Sequence, residues 1–133
     1  MLRRGALRLA RRLRRERGPA ALSNAKLSVL SALHRRGEQT AREIADLERL
    51  QPQSLTRTLQ ALEADGLVRR RPDPEDRRRA RLAITPKGVD ALALEMAGRD
   101  AWLAAALAGH TTPAERGVLA LAAELMERLS DLP

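Results

Sequence analysis

Apolar residues along this chain recur mostly at helical spacing. Leu2, Ala6, Leu9 and Leu13 share one stripe of a first helix, Leu27, Leu30 and Leu33 mark a second, and Ile44 with Leu47 form the inner face of a short third. Leu55, Leu59 and Leu62, at i, i+4 and i+7, predict a fourth helix from about Pro52 to Ala64. Polar punctuation sets the ends. Gly18-Pro19-Ala20 breaks the first pattern, Ser23 can cap the second helix and Gly37 stops it. Thr40-Ala41-Arg42-Glu43 has the capping-box pattern, in which hydroxyl and carboxylate each take up the other residue's backbone amide. Pro52 stands in a first turn, where its missing N–H costs nothing, and Asp65-Gly66 ends the fourth helix.

The period then changes from 3.6 to two. Leu67-Val68-Arg69-Arg70 and Arg81-Leu82-Ala83-Ile84 suit two short strands, joined by a proline-containing loop that cannot be a central strand. Thr85-Pro86 restarts a helix that runs through Val89, Leu92, Met96, Leu103 and Leu107 to about Ala108, with a mild break at Gly98 and a stop at Gly109. Thr111-Thr112-Pro113-Ala114-Glu115 opens a final helix bearing Val118, Leu121, Leu125 and Leu129. A tight helix pair followed by a hairpin reads as a helix-turn-helix with a wing. The predicted fold is therefore mainly α with a small β-wing (α+β), one compact unit with an N-terminal dimerisation helix at 1–22, a winged helix-turn-helix at 23–84 and C-terminal dimerisation helices at 85–133. The terminal stripes must be buried either within the chain or against a second copy. A homodimer is expected, because two recognition helices then face a two-fold operator.

Composition narrows the function. The 133 residues are 44% hydrophobic, enough for a core, and carry a formal net charge of +8. Arginine outnumbers lysine 23 to 2, and its planar fork suits phosphate and guanine edges, although a GC-rich genome also inflates arginine. Such a balance fits nucleic acid or an acidic membrane surface. With no cysteine, thiolate metal sites and thiol redox sensing are excluded, and His34 and His110 are too isolated to form a ligand cluster. No Ser-His-Asp set, metal-ligand spacing or phosphate-cradling glycine loop is present, so neither an enzyme nor a cofactor is expected. No apolar run approaches the roughly 18 residues of a membrane span, which makes a cytoplasmic protein of a bacterium or archaeon the expectation. The basic first 17 residues superficially resemble a transit peptide, and alone would fit a membrane-surface or partner-binding helical protein. That alternative gives no reason for the wing.

Candidate contacts follow from placement. Near the start of helix four, Gln53 and Arg57 can pair bidentately with adenine and guanine in the major groove, while Ser54 and Thr56 are short enough for phosphate or thymine. In the wing, Arg77, Arg78 and Arg79 are interleaved with Asp73, Glu75 and Asp76, acids that can hold an arginine extended toward a narrow minor groove. Thr40, at a helix start, offers a phosphate contact through backbone amides. Solvated helix faces and charge runs are the bland alternatives, and the adjacency of helix pair and wing weighs against them.

The motifs Leu27-x-Val29-Leu30-x-x-Leu33, Thr40-x-x-Glu43-Ile44-Ala45, Thr56-Arg57-x-Leu59-x-x-Leu62-Glu63-x-x-Gly66-Leu67-Val68, Asp76-Arg77-Arg78 and Ile84-Thr85-Pro86-x-Gly88 resemble, in combination, the MarR family of winged helix-turn-helix regulators. The resemblance covers 22–92 and implies a homodimeric regulator, usually a repressor, that binds double-stranded DNA. In the family's wing motif the acid orients an arginine into the minor groove, which maps here onto Asp76 and Arg78. Gln51 stands where the family usually has Ser or Asp, and Lys26 where it commonly has Gln. Many members also bind a small, often aromatic or anionic effector, so an unidentified effector is a further partner the resemblance allows. Trp102, the single aromatic residue, is expected to anchor a core or interface rather than to stack on such a ligand.

Overall fold

Caps and turns fix where each element begins. In the computed structural model, which describes residues 1–17 and 22–133, α1 spans Leu2–Leu13, α2 Asn24–Arg36, α3 Ala41–Glu48, α4 Pro52–Ala64, α5 Pro86–His110 and α6 Pro113–Ser130. The expected break at Gly18-Pro19-Ala20 lies outside the described residues. Ser23 accepts from the amide of Lys26 to start α2, and Gly37, at φ 79°, stops it. Capping boxes open α3 (Thr40 with Glu43) and α6 (Thr112 with Glu115). Gln51 makes no side-chain cap, so α4 starts on Pro52 alone. Lys26 reaches Asp65 at the end of α4, 3.5 Å away.

Three strands form one antiparallel sheet in the order β1-β3-β2, with β1 at Gln39–Thr40, β2 at Val68–Pro72 and β3 at Ala80–Ile84. β2 and β3 form the expected hairpin, paired from Val68 with Ile84 to Pro72 with Ala80. Pro72 therefore ends a strand instead of lying in the loop, which β2 tolerates because it is an edge strand. The hydrophobic pattern gives no sign of β1. It is two buried polar residues, and Gln39 closes it by donating its side-chain amide to the Ala32 carbonyl at 3.1 Å.

The chain divides into two compact units, residues 17–97 and residues 1–16 with 98–133. The division falls inside α5, not at its start. In the first unit Leu30, Leu33, Ile44, Leu59, Leu62 and Leu82 are fully buried, so α2, α3, α4 and the sheet share one core. Leu47 corrects the sequence reading. It is exposed, and α3 instead turns Ala45 and Ile44 inward, because eight residues are too few to bury a third apolar position around such a small core. Glu95 is buried and accepts from the Leu22 amide at 3.3 Å. The second unit has no buried residue in α1 or α6. α5 crosses Gly98 without a break.

One contact ties α4 to the hairpin and to α5. Asp65 and Gly66 end α4, and the Thr85 hydroxyl donates to the Gly66 carbonyl at 2.6 Å while accepting the Gly88 amide at 3.0 Å. The Thr85 amide reaches the Leu67 carbonyl at 3.0 Å, and Lys87 reaches the Asp65 carbonyl at 2.9 Å. Gly88 makes this possible. A Cβ there would fall on the Leu67 carbonyl and 2.7 Å from Ile84 Cγ1. Gly88→Ala should consequently destabilise the protein by about 3 kcal/mol, the upper range for overpacking a rigid site. A urea-unfolding midpoint equal to that of the wild type would show that the backbones do not approach so closely.

Candidate nucleic-acid interface

The outward face of α4 begins with Gln53 and Ser54 and continues with Thr56 and Arg57, all exposed, while Leu55 and Leu59 between them point into the core. Ridge spacing thus presents these four residues on the solvent side of one helix start. The Thr56 hydroxyl donates to the Pro52 carbonyl at 2.9 Å, so it meets a partner only as an acceptor or through its methyl group. Arg57 has no ion-pair partner among the described residues. A cation left free beside uncharged amides and hydroxyls is what bidentate base recognition requires.

At the wing tip, backbone and carboxylates build a compact turn. The Asp73 amide donates to the Arg79 carbonyl at 3.1 Å, and the Arg79 amide to the Asp76 carbonyl at 2.9 Å. Asp73 and Asp76 each accept a backbone amide two residues on, from Glu75 and Arg78, both at 3.0 Å, in the manner of Asx turns. Asp76 Oδ1 also lies 3.3 Å from Arg78 Nε, yet the Arg78 side chain remains 93% exposed. One carboxylate oxygen therefore shapes the turn and aims the arginine.

The wing's other arginines are not equivalent. Arg70 makes a fork to Glu63 on α4 at 2.8 and 3.2 Å, and Arg71 makes one to Glu38 at 2.6 and 2.5 Å. Arg81 donates to the Glu38 carbonyl at 3.0 Å. Arg79 lies 3.6 Å from Asp73, which is only 3% exposed. Arg77 has no ion pair among the described residues. Together, Arg70, Arg71, Arg77, Arg78 and Arg79 line an open basic concavity on the wing. The hydrogen bonds from Arg71 hold the Glu38 carboxyl below its ordinary value of 4.5, and the same bonds raise Arg71. A lowered carboxyl pKa contributes stability above the unfolded value and loses it as pH falls through the folded one, so this anchor stays charged at neutral pH.

Thr40 is buried, its hydroxyl accepts from the Glu43 amide, and its own amide donates to Glu43, both at 3.2 Å. An incoming phosphate would compete with that carboxylate at Thr40. Two residues the sequence reading overlooks complete the geometry, Glu38 and Glu63, which like the wing acid Asp73 anchor arginines rather than contact a ligand. Recognising β1 would have found Glu38, since the pairing of Gln39 with Leu82 sets it beside the hairpin. Among the described residues no group of acids and histidines could hold a metal ion, and no helix is long and apolar enough to cross a membrane.

Comparison with known proteins agrees with this geometry. Residues 22–80 match the model of the MarR family. An HTH-type transcriptional regulator of Mycobacterium tuberculosis is 34% identical over 125 residues, which cover 94% of this chain and 87% of the relative. Among solved structures, a candidate transcriptional regulator of Pseudomonas aeruginosa is 33% identical with a TM-score of 0.81, covering 99% of this chain and 91% of that one. The YusO protein of Bacillus subtilis is 28% identical with a TM-score of 0.67, covering 80% and 75% of the two chains. With helix-turn-helix, wing and wing arginines on a single folded unit, this chain belongs to the MarR family of winged helix-turn-helix transcriptional regulators.

Proposed function

We propose that the protein is a homodimeric repressor of a pseudo-palindromic operator, with α4 reading base edges in the major groove and the wing entering the flanking minor groove. The observation that carries this reading is the sorting of the wing arginines. Arg70, Arg71 and Arg81 brace the hairpin against the body, whereas Arg78 stands exposed at the tip, aimed by Asp76. An extended guanidinium suits the concentrated negative potential of a narrow A·T-rich groove. Dimerisation is supported by α6, where Val118, Leu121, Leu125 and Leu129 are 68, 58, 40 and 59% exposed. Such a row favours burial against a second copy. Trp102 is covered on one face by the Arg12 guanidinium, 4.3 Å from the ring centre, which supports its role as an anchor over that of an effector platform.

Two experiments test this reading. Selection of bound duplexes from a random library should give a two-fold consensus. Arg57→Ala should relax one position per half-site at a cost of about 1–3 kcal/mol per lost contact. Arg78→Ala should weaken binding most on A·T-rich flanks, and Asp76→Ala should do so less. A shifted half-site consensus for Arg78→Ala with an unchanged one for Arg57→Ala would reverse the assignment of grooves.

Sedimentation addresses the dimer. The wild type should sediment as a dimer at micromolar concentration, and Leu121→Glu with Leu125→Glu should give a monomer or a poorly folded chain. A well-folded wild-type monomer would rule the dimer out.

A further inference from the structure

Most of the chain's net charge sits far from the wing in sequence. Residues 1–16 hold seven arginines and one glutamate, so they supply +6 of the formal +8. Along α1 and the turn that follows it the charges are segregated. Ala10, Arg12, Leu13 and Glu16 are half-buried, while Arg4, Arg8, Arg11 and Arg15 are exposed on the opposite side. The half-buried side is the one held by α5: Arg12 lies over Trp102 and pairs with Glu16, whose carbonyl faces Gly98. Arg8, Arg11, Arg12 and Arg15 line one open cleft. Among the described residues the side chains of Arg8, Arg11 and Arg15 have no hydrogen-bond or ion-pair partner.

That arrangement is unfavourable by itself. Arg4 with Arg8, Arg8 with Arg12 and Arg11 with Arg15 are like charges at i, i+4, which repel on a helix surface. Only a multivalent anion with regularly spaced charges relieves the whole row at once. From Arg4 to Arg11 the helix rises about 10 Å, an axial length over which one DNA strand presents about three phosphates. We propose that the arginine face of α1 is a second, sequence-independent binding surface for the phosphate backbone of duplex DNA. An acidic lipid surface is the other polyanion such a face could meet and is an outcome of the test below; DNA is favoured because the same chain carries the exposed α4 face and the basic wing. The inference rests on the reading above only in taking DNA as the polyanion.

The test is the salt dependence of binding to a duplex that lacks the operator. Neutralising Arg8, Arg11 and Arg15 together by Gln, which keeps helix propensity, should lower the slope of log affinity against log salt by about 2.7 per engaged subunit, and Arg15→Gln alone by about 0.9. The triple Lys variant should keep the wild-type slope. All variants are compared at matched helical circular dichroism, and the single variant suffices if the triple one does not fold. An unchanged slope for the Gln variants overturns the proposal. So does loss of binding to vesicles containing anionic phospholipid while the DNA slope stays at the wild-type value. A reduced slope in a protein that selects no operator would support the α1 surface while refuting the operator reading, and the reverse pattern would do the opposite.

Discussion

Thr85 holds the DNA-facing unit together. Its hydroxyl is at once the cap of α5 and the donor to Gly66, just past the end of α4, and its amide grips Leu67, the residue before β2. α4 and the hairpin therefore share one rigid pivot, and neither can tilt without breaking the start of α5. Gly88 is the steric condition for that pivot, since only a residue without a side chain lets α5 begin against the Leu67 carbonyl. The Thr85-Pro86-x-Gly88 sequence after β3 thus has a packing cause independent of any contact with DNA.

Placing so many arginines in one small hairpin creates a second constraint. Their repulsion would open the wing, and the fold meets it with acids drawn from elsewhere, Glu63 from α4 and Glu38 from the residue before β1, and with Asp73 buried within the tip itself. Exposed forks of this kind contribute little each to stability. Their main effect is directional. By occupying the inner arginines they leave the outward ones as the cations a ligand meets.

Much of this was legible in the sequence where the signal is local. Capping boxes, Pro at a first turn and the switch of period from 3.6 to two each depend on residues within a few positions, and they placed all six helices and the hairpin. The unread parts depend on distant partners. β1 is two polar residues whose pairing lies some 40 positions away, so neither alternation nor propensity marks it. Likewise Arg71 is occupied by Glu38, 33 residues earlier, whereas Arg78 is not, and composition treats the two alike. Leu47 shows the converse, an apolar residue at the right spacing that the size of the core leaves outside.

Pro72 carries a consequence for how these molecules crowd. It closes the outer strand β2 without an amide hydrogen, on an edge that also bears Arg69 and Arg71, and the opposite edge, β1, is two residues long. Neither border of the sheet can template another strand. Molecules gathered at high local density along one stretch of genome therefore stay separate at their wings, and the hairpin that is most exposed is also the part least able to seed aggregation.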